Sequence, residues 1–406
     1  MNKIPTKKSG FNPNWQIKTL NEVCDKISAG GDKPEDCTTE KTEENQIPIF
    51  SNGIKNQGLC GYTKTPTITK PALTISARGT IGFACVRYEP FFPIVRLICV
   101  IPNEKLVVLE FLCYALQYII PQGEGTSVPQ LTIPNFKKIE IPIPPLDEQK
   151  RIASALSKID AYLENTIKLI EEKERFKRGI AKKLLTCKEG ENIPEARFKG
   201  FEDEWEIVKL GDICLINNKS LKENTDKNYK FKYIDLTAVK KGIINFSNDY
   251  TTFENAPISA RRIINKNDII MATVRPYLLG HAFIDFEAKD YICSKGFAVL
   301  TANSNIEMKY IYQYLYSDDM AKQIKSRLVG STYPTIRLSD IKELKIKIPK
   351  SIKEQEKIGG YLSLLDEEID NLKKQKELIK EMKRGAMQKL LSGEVRLSKN
   401  AFNENI

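Results

Sequence analysis

Apolar residues recur with alternating spacings of four and three along two stretches of the chain, residues 147–185 and 352–391. This spacing is the coiled-coil period, and it predicts two long helices with one apolar seam each. We expect the seams to pack the helices against each other. The alternative is ordinary packing of each helix against its own globular core. The seam residues are Ile152, Leu156, Ile159 and Leu163 in the first helix, and Ile358, Leu362, Leu365 and Ile369 in the second.

Both predicted helices also carry informative polar residues. Lys177 and Lys383 interrupt the seams in the C-terminal half of each helix. Ser351 and Glu354 have the spacing of a capping box, in which two side chains satisfy free amides at a helix start. Each helix spans roughly 55–60 Å at the α-helical rise per residue. A rigid element of that length suits a spacer between two binding sites.

The chain is an internal duplication. The opening of its first half recurs 190 residues later, and the close of that half recurs 206 residues later. The second interior is therefore 16 residues longer. A shared framework with different interiors is typical of two recognition domains with different targets, and drift after an old duplication is the alternative. Matching pairs are Trp15 and Trp205, Leu20 and Leu210, Cys24 and Cys214, Glu148 and Glu354, Gln149 and Gln355, and Leu184 and Leu390.

Outside the helices, short β-type runs alternate with turns, which is typical of mixed α/β domains. We predict an α+β fold, with two mixed α/β domains separated by two long antiparallel coiled-coil helices and a pseudo-twofold from the duplication. The predicted boundaries are 1–145 for the first domain, 146–187 for the first helix, 188–350 for the second domain, 351–392 for the second helix, and 393–406 for a C-terminal tail.

Composition narrows the classes of partner. With 63 Lys and Arg against 52 Asp and Glu, the net charge is +11, which suits a nucleic acid before a membrane. Nine cysteines without a C-x-x-C pair, and a single histidine, argue against a bound metal and a disulfide framework. Scattered thiols fit a reducing cytoplasm. No apolar run reaches membrane-spanning length, so we expect no membrane partner.

The candidate DNA-binding residues lie in turns. Arg78 and Arg275 each follow an apolar strand-like run, in a turn that contains Gly or Pro. An arginine placed there can donate to phosphate or to a guanine edge, although a surface arginine at a strand end fits equally well. A turn is repeated ahead of each helix, at 125–129 and 330–334. Its residues fit DNA contacts and a shared structural role equally well. The remaining candidates are Lys33, Ser51, Asn52, Thr80, Ser127, Gln130, Lys240, Tyr277, Lys295, Thr332 and Tyr333.

The sequence argues against catalysis by this chain. It contains no G-x-x-x-x-G-K-[ST] run for phosphate and no Asn/Asp-Pro-Pro-aromatic motif, the nearest being Asn12-Pro13-Asn14. A Ser-His-Asp arrangement would require His281, which has no motif around it. We therefore predict a non-catalytic chain.

In the order of its motifs, the chain resembles the specificity (S) subunits of type I restriction-modification systems. The resemblance covers nearly all 406 residues. It rests on the two Trp openings, on I-S-A-R-G-T-I-G at 75–82, on V-R-P-Y-L-L-G at 274–280, on I-P-I-P-P-L-D-E-Q at 141–149, and on the Lys-Leu-Leu that closes each helix. One departure is P-K-S-I at 349–352, where the double proline is missing.

The resemblance implies two target recognition domains, each reading one half of a split, asymmetric double-stranded DNA site. It implies helices that act as a spacer and dock two methyltransferase (M) subunits. S-adenosylmethionine, ATP and Mg²⁺ are then expected on the methyltransferase and restriction (R) subunits, and no cofactor on this chain. Two alternatives are a specificity subunit of a related two-protein restriction enzyme that cuts outside its site, and a coiled-coil scaffold whose globular ends bind proteins.

Overall fold

The structure, a computed structural model, divides into two compact units. The first contains the residues up to Ile167 together with those from Lys374 onward, and the second contains Lys168–Lys373. Each unit therefore combines one globular domain with halves of two helices. The described residues are 15–120, 123–124, 131–188, 190–303 and 305–397.

The globular part of the first unit is built around a four-stranded antiparallel sheet. The described strands of this part, including those outside that sheet, are β1 (Gln16–Thr19), β2 (Cys24–Ala29), β3 (Ile47–Phe50), β4 (Leu59–Thr63), β5 (Ala72–Ser76), β6 (Thr80–Ile81), β7 (Ala84–Arg87), β8 (Phe92–Pro93), β9 (Leu97–Pro102), β10 (Gly123–Glu124) and β11 (Glu140–Ile143). Its helices are α1 (Leu20–Val23), α2 (Leu109–Ile119), α3 (Ile133–Lys137) and the first half of α4 (Leu146–Leu185).

The second unit contains the remaining elements. Its described strands are β12 (Glu206–Lys209), β13 (Cys214–Ile216), β14 (Lys230–Ile234), β15 (Val239–Lys240), β16 (Ile243–Ile244), β17 (Thr251–Thr252), β18 (Ala260–Ile263), β19 (Ile269–Ala272), β20 (His281–Phe283), β21 (Tyr291–Ser294), β22 (Phe297–Ala302) and β23 (Lys345–Ile348). Its helices are α5 (Leu210–Ile213), α6 (Met308–Tyr314), α7 (Asp318–Lys325), α8 (Leu338–Lys342), the second half of α4 and the first half of α9 (Ile352–Leu391), whose second half belongs to the first unit.

The duplication is visible in the strand order of the two main sheets. The first unit has the order β2-β9-β5-β7, and the second has β13-β22-β19-β20. Both sheets are antiparallel throughout. Each unit also has a second sheet with one parallel pair, β3 with β8 and β14 with β21. This second sheet has three strands in the first unit and four in the second, so the units differ in their interiors.

The central strands β5 and β19 are buried along their whole length. In β5, Leu73 and Ile75 join the main core of the first unit, whereas Ala72 joins a second cluster with Phe91. In β19, the odd-numbered residues Ile269 and Met271 join the main core, and the even-numbered ones join a second cluster. Because successive strand residues point to opposite faces, a strand covered on both faces reads as a continuous apolar run.

The two long helices have 40 residues each and lie where the apolar spacing predicts them. The seam residues nearest each helix start pack into a globular core. For these residues the alternative interpretation, packing against a core, is the one observed. The first-unit core contains Ile152 and Leu156 with the end of α9, and Ile159 packs against it. The second-unit core contains Ile358, Leu362 and Leu365 with the end of α4.

Farther along the helices, the two halves in each unit run antiparallel. In the second unit, Lys173 pairs with Glu368 at 2.6 Å and Lys177 with Asp366 at 2.5 Å, so the numbering rises on one helix as it falls on the other. In the first unit, Lys383 pairs with Asp160 at 2.6 Å. The lysines that interrupt the seams therefore form ion pairs across the helix pair.

A matched polar group links each helix pair to its domain. Asp160, the partner of Lys383, also accepts a hydrogen bond of 2.8 Å from the Tyr114 hydroxyl of α2. Asp366, the partner of Lys177, accepts one of 2.9 Å from the Gln313 amide of α6. The lysines and the aspartates are both 206 residues apart, so the duplication preserved the arrangement.

A buried carboxylate lies at the start of each long helix. Glu354 receives two bonds from the Arg197 guanidinium, at 2.7 and 2.8 Å. Glu148 receives two from Arg396, at 2.9 and 2.8 Å. We call these the second-unit clasp and the first-unit clasp. The predicted capping box is wrong for Glu354, because the Glu354 carboxylate accepts from Arg197 and not from an amide at the start of its own helix.

Candidate nucleic-acid interface

In the first unit, the chain turns sharply where β5 leaves the main sheet. We call residues 77–83 loop A. The Ala77 amide donates to the Arg96 carbonyl at 2.8 Å, and the Leu131 amide donates to the Ala77 carbonyl at 2.9 Å. Arg78, the next residue, is exposed. The loop therefore presents an arginine to solvent from a backbone that is fixed on both sides.

Asn52 fixes loop A from a third direction. Its side-chain amide donates to the Arg78 carbonyl at 2.7 Å. Its backbone carbonyl accepts hydrogen bonds from the Ser76 hydroxyl at 3.2 Å and the Thr80 hydroxyl at 2.5 Å. The structure thus joins three predicted DNA-binding residues, Asn52, Arg78 and Thr80. Two of them use polar groups to shape the loop, and Arg78 projects from it.

A buried arginine that sequence reasoning missed supports the same region. The Arg87 guanidinium lies 3.6 Å above the Phe50 ring and donates to the Thr74 hydroxyl at 3.1 Å and to the Gln57 carbonyl. Burial lowers the pKa of Arg87. Its contacts hold the β3–β4 turn, where Gln57 has a positive φ of 52°. A single arginine ending an apolar strand was the available signal.

The other first-unit candidates lie in neighbouring segments. Lys33 is exposed and lies three residues after Gly30. The Gly30 amide donates to the Leu97 carbonyl at 2.9 Å. A Cβ at Gly30 would lie 2.1 Å from a backbone carbonyl oxygen, so this close approach requires glycine. The Ser51 hydroxyl donates to the Gly58 carbonyl at 3.4 Å. Ser127 and Gln130 lie outside the described residues.

The second unit has a matching loop where β19 ends. We call residues 273–280 loop B. The Thr273 amide donates to the Gly296 carbonyl at 2.8 Å, and the Ile336 amide donates to the Thr273 carbonyl at 2.9 Å. These bonds correspond to those of Ala77 in loop A. The exposed Lys295 directly precedes Gly296, so another predicted contact residue flanks the loop.

Both loops contain two residues with positive φ. In loop A they are Gly79 and Gly82, at 79° and 82°. In loop B they are Arg275 and Leu279, at 47° and 56°. Glycine adopts this left-handed conformation readily, whereas a side chain there strains the backbone. Loop B is one residue longer and carries bulky side chains where loop A has none.

Arg275 is held in place by the turn that precedes α8. Its guanidinium carbon lies 4.4 Å from the centre of the Tyr333 ring, which is 65% exposed. The guanidinium also donates to the Thr332 carbonyl at 3.1 Å, and the Arg275 amide donates to the Pro334 carbonyl at 2.7 Å. The structure thus brings together Arg275, Thr332 and Tyr333, which sequence reasoning selected separately.

The outer part of loop B is apolar and is bordered by cations. Tyr277 and Leu278 are 51% and 60% exposed in a turn of 3₁₀ helix. The Lys241 amide donates to the Leu279 carbonyl at 3.0 Å, which places the exposed turn containing Lys240 and Lys241 beside the loop. The second-unit candidates therefore lie on neighbouring segments. A surface of arginine, lysine, hydroxyl and aromatic groups suits a nucleic acid.

The one histidine of the chain is buried, and burial shifts the pKa of several of its thiols. His281 is fully buried, its Nδ1 accepts from the Ala272 amide at 3.3 Å, and burial lowers its pKa to about 4. Burial raises the pKa of the Cys24 and Cys214 thiols to about 12. The described residues contain no group of three or more His, Cys, Asp or Glu placed to hold a metal ion. None of the helices in the described ranges is long and apolar enough to span a membrane.

Two domains with the same sheet order, each presenting an arginine from a loop that equivalent backbone hydrogen bonds fix, define a duplicated protein with two candidate binding loops. The family model described as "Type I restriction modification DNA specificity domain" matches the chain twice, at residues 12–172 and 202–381. The chain belongs to this family.

Proteins similar to this chain are named as type I specificity subunits, and the similarity covers most of their length. The type I restriction enzyme MjaVIII specificity subunit of Methanocaldococcus jannaschii is 27% identical over 74% of this chain and 73% of the relative. A putative type I specificity subunit of Mycoplasma genitalium is 26% identical over 91% of this chain and 92% of its own. The crystal structure of a type I S subunit from M. genitalium shares the fold, with a TM-score of 0.63, 22% identity, and coverage of 95% and 98% of the two chains.

Proposed function

We propose that this chain selects the DNA sequence on which a type I restriction-modification complex acts, and that it is not itself catalytic. Residues 1–145 and 188–350 are the proposed target recognition domains, each reading one half of a split, asymmetric site. Residues 146–187 and 351–392 are the proposed spacer helices, and 393–406 the tail. The observation that carries this proposal is the pair of loops A and B, which share backbone hydrogen bonds and differ in side chains.

Loop chemistry supports DNA as the ligand. Arg78 and Arg275 lie on loops fixed by backbone bonds at equivalent places, as expected of arginines that reach base edges. The exposed lysines Lys33, Lys240 and Lys295 are suited to phosphate contacts, which position a protein on the duplex without reading its sequence. Different side chains on the same backbone provide for two unlike half-sites.

Exposed apolar side chains on the helices support docking of two methyltransferase subunits. Phe176 in the second unit and Met382 in the first are 52% and 50% exposed, and they lie 206 residues apart. Leu364 in the second unit and Leu378 in the first are 59% and 65% exposed. We infer that each unit offers one such surface to one methyltransferase subunit. Restriction subunits join through that assembly, and S-adenosylmethionine, ATP and Mg²⁺ are bound by the partners.

Footprinting of the assembled methyltransferase tests the proposal. We expect two protected segments of different sequence, separated by unprotected base pairs. Arg78→Ala should relax sequence preference in one segment only, and Arg275→Ala in the other, with Lys289→Ala as a surface-charge control. A single continuous site, or protection without sequence preference, would overturn it. A scaffold that binds only proteins predicts assembly without the steep salt dependence of DNA binding. A two-protein restriction enzyme predicts one fused nuclease-methyltransferase partner.

A further inference from the structure

We propose that Leu278 is a wedge that enters the base stack of double-stranded DNA at the half-site of the second unit, with Tyr277 beside it. The second domain then reads its half-site partly through the ease with which one base step is unstacked. This inference rests on the proposed DNA-reading function. It adds a mode of recognition, because arginine contacts alone require no deformation of the duplex.

The apolar surface of loop B consists of two adjacent residues. Leu278 and Tyr277 are 60% and 51% exposed and lie in the 3₁₀ turn of the loop. Isolated exposed apolar residues are ordinary on protein surfaces. Two of them together on one exposed turn, beside an arginine held on the Tyr333 ring, form a small apolar tip inside a polar surface.

A strained backbone presents this tip. The turn is flanked by Arg275 and Leu279, both left-handed and neither of them glycine. Such strain persists where the surroundings fix the conformation, and it is typical of functional sites. Here the fixing bonds are the Arg275 amide to the Pro334 carbonyl at 2.7 Å and the Lys241 amide to the Leu279 carbonyl at 3.0 Å. Both ends of the turn are therefore anchored, and the tip is presented rigidly.

Cations border both ends of the turn, and the turn also lies against α7, which begins with the carboxylates Asp318 and Asp319. Arg275 lies at one end of the turn, and Lys240 and Lys241 lie in the exposed turn bonded to the other end. A purely apolar protein surface gives these cations no partner. Duplex DNA offers phosphates to the cations and stacked bases to the apolar side chains. Proteins that kink DNA insert apolar residues between base steps in this way.

Loop A lacks such a tip, which confines the proposal to one half-site. Between its two left-handed glycines lie Thr80 and Ile81. The Thr80 hydroxyl is bonded to the Asn52 carbonyl, and Ile81 is 6% exposed in the core. Loop A therefore presents no exposed apolar side chain, since its remaining large apolar residue, Phe83, is half-buried. The two half-sites should differ in whether their base stacking is disturbed.

Fluorescence of 2-aminopurine tests the wedge. The complex of the full chain with its methyltransferase subunits is bound to duplexes carrying the analogue at successive positions of the second half-site, excluding the adenine that is methylated. We expect a several-fold rise in fluorescence at one base step. Leu278→Ala should abolish the rise and weaken binding by about tenfold, whereas Leu278→Met should retain most of it. Leu215→Ala, the same change at a 45% exposed leucine on the edge strand β13 of the same unit, should alter neither.

The outcomes separate the wedge from the function on which it rests. Sequence-specific protection of two segments without a local rise, or with Leu278→Ala equal to the unmodified chain, overturns the wedge and leaves the function standing. Failure of the unmodified complex to select a sequence overturns both. If Leu278→Ala instead releases a methyltransferase subunit, as measured by native mass spectrometry, the tip is a protein contact and the wedge is wrong.

Discussion

Loops A and B occupy the same place in two copies of one architecture, and they solve the same backbone problem with different residues. Loop A uses Gly79 and Gly82 at its left-handed positions, whereas loop B uses Arg275 and Leu279. The backbone hydrogen bonds at the start of the loops are equivalent, with Ala77 in loop A and Thr273 in loop B. The architecture therefore determines the path of the loop, and the loop sequence remains available to determine what it contacts. That separation is what reading two unlike targets requires.

The two clasps are a second comparison, and breaking them should give the largest effect. The Arg197 side chain is 13% exposed on Glu354, whereas the Arg396 side chain is 49% exposed on Glu148. Removing one partner of a buried ion pair leaves an uncompensated charge and costs about 3–5 kcal/mol. We expect Arg197→Ala to reach that range and Arg396→Ala to fall well below it, because water can reach the Glu148 carboxylate once Arg396 is removed.

Urea unfolding can report each unit separately. The chain has two tryptophans, Trp15 in the first unit and Trp205 in the second. Replacing one by Phe leaves the fluorescence of the other as the signal. Arg197→Lys is the matched control, because it retains the charge and loses the two-pronged geometry, and it should fall between the unmodified chain and Arg197→Ala. Equal losses for Arg197→Ala and Arg396→Ala would show that the exposure of the arginine does not matter.

The next largest effect should come from the glycines of loop A. Gly82 has φ of 82°, and a Cβ there would lie 2.8 Å from the Ile120 carbonyl oxygen. A left-handed alanine costs about 1–2 kcal/mol, and the crowding adds to it. We expect Gly82→Ala to destabilise the first unit by at least about 2 kcal/mol in the Trp15 signal. Leu279→Ala at the equivalent place in loop B keeps its backbone and should lose less. The reverse order would contradict the match between the loops.

Sequence periodicity predicted the long helices well, because their signal repeats over many turns. Shorter helices carry a weaker signal, and the apolar stretch at 306–325 is divided in the structure into α6 and α7. The reason is local: the Ser317 hydroxyl accepts from the Met320 amide at 3.2 Å and caps a new helix. The duplication was also readable, because its two ends are matched at constant offsets.

The contacts of the site could not be predicted, because they join residues far apart in the chain. Asn52 and Arg78 were both selected, but nothing in a spacing of 26 residues indicates a hydrogen bond between them. The second-unit clasp joins residues 157 apart. Arg197 gave no signal by itself, since an arginine between two long helices reads as surface charge. Tertiary proximity determined its role.

A smaller effect should distinguish how the two loop arginines are held. Arg275 is stacked on Tyr333 at 4.4 Å, and a cation–π contact at an exposed site is worth about 0.5–1 kcal/mol. We expect Arg275→Ala and Tyr333→Ala to show a coupling of that size when the affinity for the second half-site is measured in a double-mutant cycle. Arg78→Ala combined with Tyr333→Ala should be additive. A coupling of zero for the first pair would mean that the stacking does not orient the arginine for DNA.

The smallest expected effect is that of two ion pairs between the long helices, and it should have the same size in both units. Lys177–Asp366 and Lys383–Asp160 have nearly the same exposure, 19% and 39% against 22% and 36% for the lysine and aspartate side chains. Half-exposed ion pairs of this kind contribute about 0.5 kcal/mol. Double-mutant cycles to Met and Asn, read in the Trp205 and Trp15 signals, should therefore give equal couplings in the two units. The clasps are expected to differ in strength between the units, whereas these two ion pairs are not. Unequal couplings would therefore mean that the helix halves have diverged as the loops have. The architecture shared by the two units would then not extend beyond the helix starts.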